Sequence, residues 1–174
     1  MISWAHRFDH RVLTRVNRWK PPRWLWILAV VMSRGGDGWL WMGVGAAIAV
    51  FGGREAFSAL ASANLSVALG IGVFSFMKRR FRRSRPPAEL RSWPTLVAPD
   101  RFSFPSGHAT TAFAVSVSLF PFFPHFRLEL VALASGVAAS RVFLGLHFLT
   151  DVLAGSLIGS LVGLGVSAII HFIH

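Results

Sequence analysis

The 174-residue chain has no cysteine and no tyrosine, and sets only 7 Asp and Glu against 18 Lys and Arg. The missing cysteine excludes disulfides, thiolate zinc sites and cysteine nucleophiles, and leaves the compartment open. Charge of either sign is scarce, at 14% of residues, where a soluble domain usually carries about 25%. A secretory signal is not evident either. Arg7, Arg11, Arg15 and Arg18 interrupt the first twenty residues, where an apolar core would be required. Internal repeats and low-complexity tracts are absent. Apolar residues make up 53% of the chain and come in long blocks, the pattern of a membrane protein. Seven Trp and sixteen Phe suit a lipid-facing surface with Trp near the headgroups.

The length predicts one domain over residues 1–174. A net charge of +11 suits an anionic membrane surface, an anionic substrate or nucleic acid. Nucleic acid is disfavoured, because the basic residues sit between apolar segments and not on a polar domain.

The pattern predicts an all-α membrane bundle. Residues 1–21 read as an amphipathic interfacial helix, with Phe8, Val12, Leu13 and Val16 on one face and arginines opposite. Trp24 to Met32 is apolar but too short to span alone, since a span needs about 20 residues. Residues 34–38 read as a turn and Trp39 to Phe51 as a helix. Ala56 to Met77 carries no charge and is long enough to cross a bilayer. Its Ser58, Ser62, Asn64 and Ser66 are expected to face other helices. Residues 78–105 form a basic, proline-rich loop holding Arg91, Pro94 and Pro99 among others. Three further helices follow, over 106–123, 128–146 and 147–173. In the last, Gly155, Gly159, Gly163 and Gly165 would permit close packing. The expectation is five transmembrane helices plus the short first segment.

Three blocks carry unusual chemistry: Lys78-x6-Arg85-Pro86, Pro105-Ser106-Gly107-His108, and Ser140-Arg141-x5-His147-x3-Asp151. Ionisable groups in or beside membrane helices are costly, so Arg141, His147 and Asp151 are functional candidates. His147 and Asp151 are four apart, within contact on one helical face, where a carboxylate can orient an imidazole. The alternative for this pair is a buried bridge between helices. Ser106 is a good N-cap, and a helix start there could bind an anion through free N–H groups, with His108 beside it. An ordinary capped helix with an interfacial histidine would look the same. Lys78 and Arg85 by themselves resemble the neighbouring Arg79, Arg80, Arg82 and Arg83, which read as a snorkelling cluster on lipid headgroups. Joined, the blocks can meet at one membrane face. Lys78, Arg85 and Arg141 could then surround a phosphoryl group, with two histidines as nucleophile and acid.

In order and spacing these blocks resemble the signature of the type 2 phosphatidic acid phosphatase (PAP2) superfamily, firmly over about residues 56–165. The resemblance implies a membrane helical bundle, often six-spanning, that uses no metal or other cofactor and forms a phosphohistidine intermediate. By position it implies that His147 attacks phosphorus, Asp151 orients it and His108 protonates the leaving lipid oxygen. Lys78, Arg85, Ser106, Gly107 and Arg141 would bind the phosphate. The implied partners are a lipid phosphate and the bilayer, with the site on the extracytoplasmic face of the inner membrane. The first segment bears on that face. If residues 24–33 span, basic residues divide almost evenly between the two sides; if not, nearly all gather with the site, and the positive-inside rule pulls it toward the cytoplasm.

Substrates of the expected class are phosphatidic acid, phosphatidylglycerol phosphate, a polyprenyl diphosphate or a phosphorylated glycolipid. Three other readings compete, one of them a metal site formed by His108, His147 and Asp151, which would lose activity to a chelator. A non-catalytic binder of anionic lipids would need the arginines and not the histidines. Vanadate-dependent haloperoxidases share the signature, but they are soluble and much larger.

Overall fold

The computed structural model describes residues 2–19, 21–87 and 101–173, with side chains from residue 6 onward. Arg91, Pro94 and Pro99 of the basic loop lie outside the described residues. Within them the regular elements are all helices: α1 (Ile2–Arg18), α2 (Arg23–Arg34), α3 (Leu40–Phe51), α4 (Ala56–Phe81), α5 (Gly107–Ser118), α6 (Arg127–Phe143) and α7 (Leu149–Ile173).

The break expected at residues 34–38 is present as a kink between two helices and not as an open turn. A π-helical segment, Gly35–Trp39, joins α2 to α3 end to end, with a kink where Gly38 takes φ 123°. Only glycine adopts that angle without strain. Gly36 is needed for a different reason. A Cβ there would lie 2.6 Å from Val137 Cγ1 and 2.9 Å from His108 Cδ2. The two short apolar pieces are therefore one kinked run whose bend lies against the start of α5.

α4 continues past Met77 to Phe81, so Lys78, Arg79 and Arg80 occupy its last turn, where cations favour the helix dipole. Arg82 ends it in the left-handed region. Ser58, Ser62 and Ser66 are buried as expected, and Ser62 donates to Ser118 O across to α5. Asn64 is not. It is exposed and donates back to Leu60 O of its own helix.

The expected 106–123 helix stops at Ser118. Pro121 has no N–H to continue the ladder and disfavours helical geometry in the residue before it. α6 stops at Phe143, and Gly145, at φ 72°, reverses the chain so that His147 precedes α7.

α5 is the centre of the bundle. α7 packs on it through Gly155, Gly159 and Gly163, where an added Cβ would meet Ser106 O, Thr110 O and Ala114 O at 2.6 Å or less for the first two and 2.7 Å for the third. Gly165 faces open space and has no such role. The opposite side of α7 carries Leu153, Leu157, Leu161 and Leu164, all more than half exposed. Small residues toward the partner and leucines outward is the arrangement for lipid. Two helical stretches, Gly53–Phe81 and Leu149–Ile173, are long and apolar enough to cross a membrane.

Candidate active site

The three blocks converge at one end of the bundle. The segments flanking the basic loop are zipped together: Ser84 bridges Phe102, and Ser103 N donates to Arg83 O at 2.8 Å. Ser106 N donates to Asp151 O at 3.0 Å, which ties the start of α5 to the start of α7. A cavity of about 420 Å³ opens there. Lys78, Arg85, Gly107, His108, Arg141 and His147 line it together with Asp37, Trp41 and Phe74.

One expected phosphate ligand, Ser106, takes another place. Ser106 is fully buried and does not line the cavity; its hydroxyl caps α5 by accepting from Ala109 N. Gly107 lines the cavity, but what excludes a side chain there is the Phe74 ring, 3.1 Å from an added Cβ.

His147 is 1% exposed. Arg85 Nη1 lies 3.0 Å from its Nε2 and also donates to Leu146 O at 2.8 Å. A guanidinium has only donors, so Nε2 must accept, and the proton of a neutral ring falls to Nδ1. Burial pushes the imidazole well below its ordinary pKa, and the Arg85, Arg141 and Lys78 cations push the same way. His147 is thus a neutral imidazole with its Nε2 lone pair toward a cation.

Its Nδ1 stands 3.6 Å from Asp151 Oδ2, longer than a hydrogen bond. The two are not on one helical face, because α7 begins after His147. A capping box brings them together. Phe148 is the N-cap of α7, and Asp151, three residues on, accepts the Phe148 N–H at 2.9 Å. Asp151 does not line the cavity and lies behind His147.

His108, in the first turn of α5, sits 2.7 Å from Asp37 Oδ1 through its Nε2. The carboxylate accepts, so Nε2 carries a proton at the cavity wall. Arg141 is 4% exposed and donates to Ser33 Oγ. Lys78 donates to Phe102 O at 3.3 Å and lies over the Phe74 ring.

Sequence reasoning missed four residues here. Arg83 is not part of a headgroup cluster. It binds Asp151 Oδ1 at 2.8 Å, Thr150 Oγ1 at 2.7 Å and Asp9 Oδ2 at 2.6 Å, and lies over the Phe148 ring. Asp9, Asp37 and Ser33 reach the site from the N-terminal segments. One signal was available for Asp9: it is the only acidic residue of α1 and shares the face of Leu13.

These features define a helical membrane protein with a cationic, two-histidine cavity at one end of its bundle. A protein-family model described as the PAP2 superfamily matches residues 59–173, and the chain belongs to that superfamily. Over 128 residues it is 37% identical to the decaprenylphosphoryl-5-phosphoribose phosphatase of Mycobacterium tuberculosis, covering 72% of this chain and 68% of that protein. It is 40% identical over 58 residues to the lipid A 1-phosphatase of Rhizobium johnstonii, which is 33% of this chain but only 24% of that protein. The fold resembles the crystal structure of a transmembrane PAP2 type phosphatidylglycerolphosphate phosphatase from Bacillus subtilis. That match has a TM-score of 0.77 at 23% identity, over 97% of this chain and 87% of the other.

Proposed function

We propose that this chain is a lipid phosphatase, hydrolysing a lipid phosphomonoester or diphosphate through a phosphohistidine on His147, without a metal. The observation that carries the reading is the Arg85–His147 contact, with Nη1 3.0 Å from Nε2 of a buried imidazole, which turns the Nε2 lone pair toward the cationic cavity. In the reaction Arg85 leaves Nε2 for the phosphate. Nε2 then bonds to phosphorus as the bond to the lipid oxygen breaks. His108, protonated on both ring nitrogens with the Asp37 carboxylate beside it, gives its Nε2 proton to that oxygen and becomes the neutral ring, releasing Asp37. Lys78, Arg85, Arg141 and the amide end of α5 hold the equatorial oxygens, where charge builds up. Water then cleaves the P–N bond, passing a proton to the now neutral His108 and returning the electron pair to His147 Nε2. The negative charge of Asp151 beside Nδ1 stabilises the positive charge that develops on the ring.

A second observation supports a lipid as the leaving group. A groove of about 280 Å³ shares Gly38, Trp41 and Val67 with the cavity and continues between α3, α4 and α5 past Val44, Ile48 and Leu60. A chain could lie there with its phosphate in the cavity. The candidates remain phosphatidic acid, phosphatidylglycerol phosphate, a polyprenyl diphosphate and a phosphorylated glycolipid. The test is phosphate release from such a panel in detergent with EDTA. Release that persists in EDTA is expected; release that EDTA abolishes would overturn the metal-free mechanism.

We further propose five passes of an inner membrane, with α2, the π segment and α3 forming one kinked pass followed by α4, α5, α6 and α7. α1 and the end of α2 then share the site's side of the membrane, because Asp9 and Ser33 both touch site residues. Of the 18 Lys and Arg, only Arg54 and Arg127 fall at the far end by their place in the chain. The positive-inside rule therefore favours the cytoplasmic face, opposite to the face implied by family resemblance. The absence of cysteine makes the test clean. A single cysteine at Arg54 should react with an impermeant maleimide in intact cells and one at Arg11 should not; the reverse pattern would restore the extracytoplasmic face.

A further inference from the structure

Asp9 is fully buried on a helix otherwise rich in arginine. A buried carboxylate needs partners to be tolerated, and these are specific. Its Oδ1 accepts Thr150 N–H at 3.1 Å, and its Oδ2 accepts the Thr150 hydroxyl and Arg83 Nη2. Thr150 is the second residue of α7, and its N–H is one of the orphan donors of a helix start. Phe148, at the N-cap, has no side-chain acceptor to offer it. Asp9 therefore caps, from another helix, the same helix that presents Asp151.

Arg83 links the two carboxylates. One arm of its fork is on Asp9 and the other on Asp151 and Thr150. It is not among the residues lining the cavity, so it is not placed to hold phosphate. We propose that Asp9 is a positioning residue of the reaction. By sharing Arg83 with Asp151 it keeps negative charge on the carboxylate oxygen that faces His147.

The reasoning is electrostatic and geometric. One cation lies between two anions, and the second oxygen of Asp151 is held by the Phe148 N–H. If Asp9 loses its charge, Arg83 is drawn wholly onto Asp151. The oxygen facing Nδ1 then becomes a weaker partner for the ring as Nε2 bonds to phosphorus and the imidazole turns positive. Phosphate binding is untouched, because Lys78, Arg85 and Arg141 are not part of the relay. The effect therefore falls on turnover and not on affinity. A purely structural Asp9, anchoring α1 and capping α7, would affect stability alone.

This inference rests on the phosphatase reading, and the experiment separates the two. In the full-length protein, Asp9→Asn keeps an acceptor for Thr150 N–H but removes the charge. Its kcat should fall about 10- to 100-fold, by analogy with the loss of outer partners of metal-ligating side chains, with KM within about twofold. Asp9→Glu should recover part of the loss. Leu13→Ala is the stability control. Leu13 is 2% exposed on the same helix, outside the relay, so this variant should melt earlier yet keep wild-type kcat. Wild-type kcat in Asp9→Asn, or an equal kcat loss in an equally destabilised Leu13→Ala, would overturn the inference. If Asp9→Asn gives no folded protein, Arg83→Lys decides. It keeps the cation but not the fork, and lowered kcat at unchanged KM supports the relay where unchanged kcat overturns it. A wild-type protein that releases no phosphate from any lipid would sink the phosphatase reading itself.

Discussion

His147→Ala should release no measurable phosphate from any lipid that the wild-type protein hydrolyses, a fall of at least roughly 10⁴-fold, as for other enzymes stripped of a nucleophile. The proposed mechanism offers no other route. The remaining imidazole near phosphorus is His108, whose Nε2 donates to Asp37 and so has no lone pair for attack. Lipid binding should survive, because Lys78, Arg85 and Arg141 still line the cavity. The fold should survive as well, since the α5–α7 interface is built from the Gly155, Gly159 and Gly163 contacts and not from His147. The positive counterpart is a phosphoryl group trapped on the peptide containing His147, stable in base and lost in acid, as expected of a P–N bond. Phosphate release by His147→Ala at the wild-type rate would remove the nucleophile from the proposal and leave the non-catalytic lipid-binding reading in front.

Asp151→Asn should slow turnover by roughly 10²- to 10⁴-fold with little change in KM, because an amide can favour the wrong ring tautomer. In the structure Asp151 accepts from Phe148 N–H and from Arg83, and stands 3.6 Å from His147 Nδ1. An asparagine that keeps the Phe148 bond must turn its NH2 toward Arg83, two donors facing each other. The flipped amide points its donors at Nδ1 instead. The ring then accepts at Nδ1 and carries its proton on Nε2, which loses the lone pair needed for attack. Single-turnover kinetics with a bound lipid phosphate would show the loss in the chemical step. An unchanged rate would take Asp151 out of the mechanism and leave it as a cap of α7.

Much of the site could be read from the chain. Lys78, Arg85, His108, Arg141 and His147 were singled out by spacing, and the structure sets all five around one cavity. Residue type and register carried that information for Arg141 and His147, where an ionisable group beside a membrane helix is costly, whereas Lys78 and Arg85 looked like the neighbouring arginines until the three blocks were read together. Ser106 was a cap and not a cavity wall, which spacing cannot distinguish. Asp9, Asp37 and Arg83 escaped for a different reason. The first two lie 142 and 71 residues from the groups they serve at Asp151 and His108, and no local pattern reports contacts that distant. Arg83 was hidden among four neighbouring arginines. Which arginine turns inward depends on where α4 ends, and the left-handed Arg82 decides that.

The amino-acid sequence by itself determined the helical membrane class, the superfamily signature and the chemical types gathered at the site. Each follows from local quantities: apolar block length, proline and glycine placement, and the spacing of ionisable groups. The tertiary structure decided the rest. It joined α2 to α3 through a kink, put α1 on the same side as the cavity, and started α7 after His147, so that a capping box sets the His147–Asp151 pair. Those outcomes depend on packing between segments far apart in the chain, where a buried carboxylate takes whatever cation and N–H groups the folded bundle brings within reach.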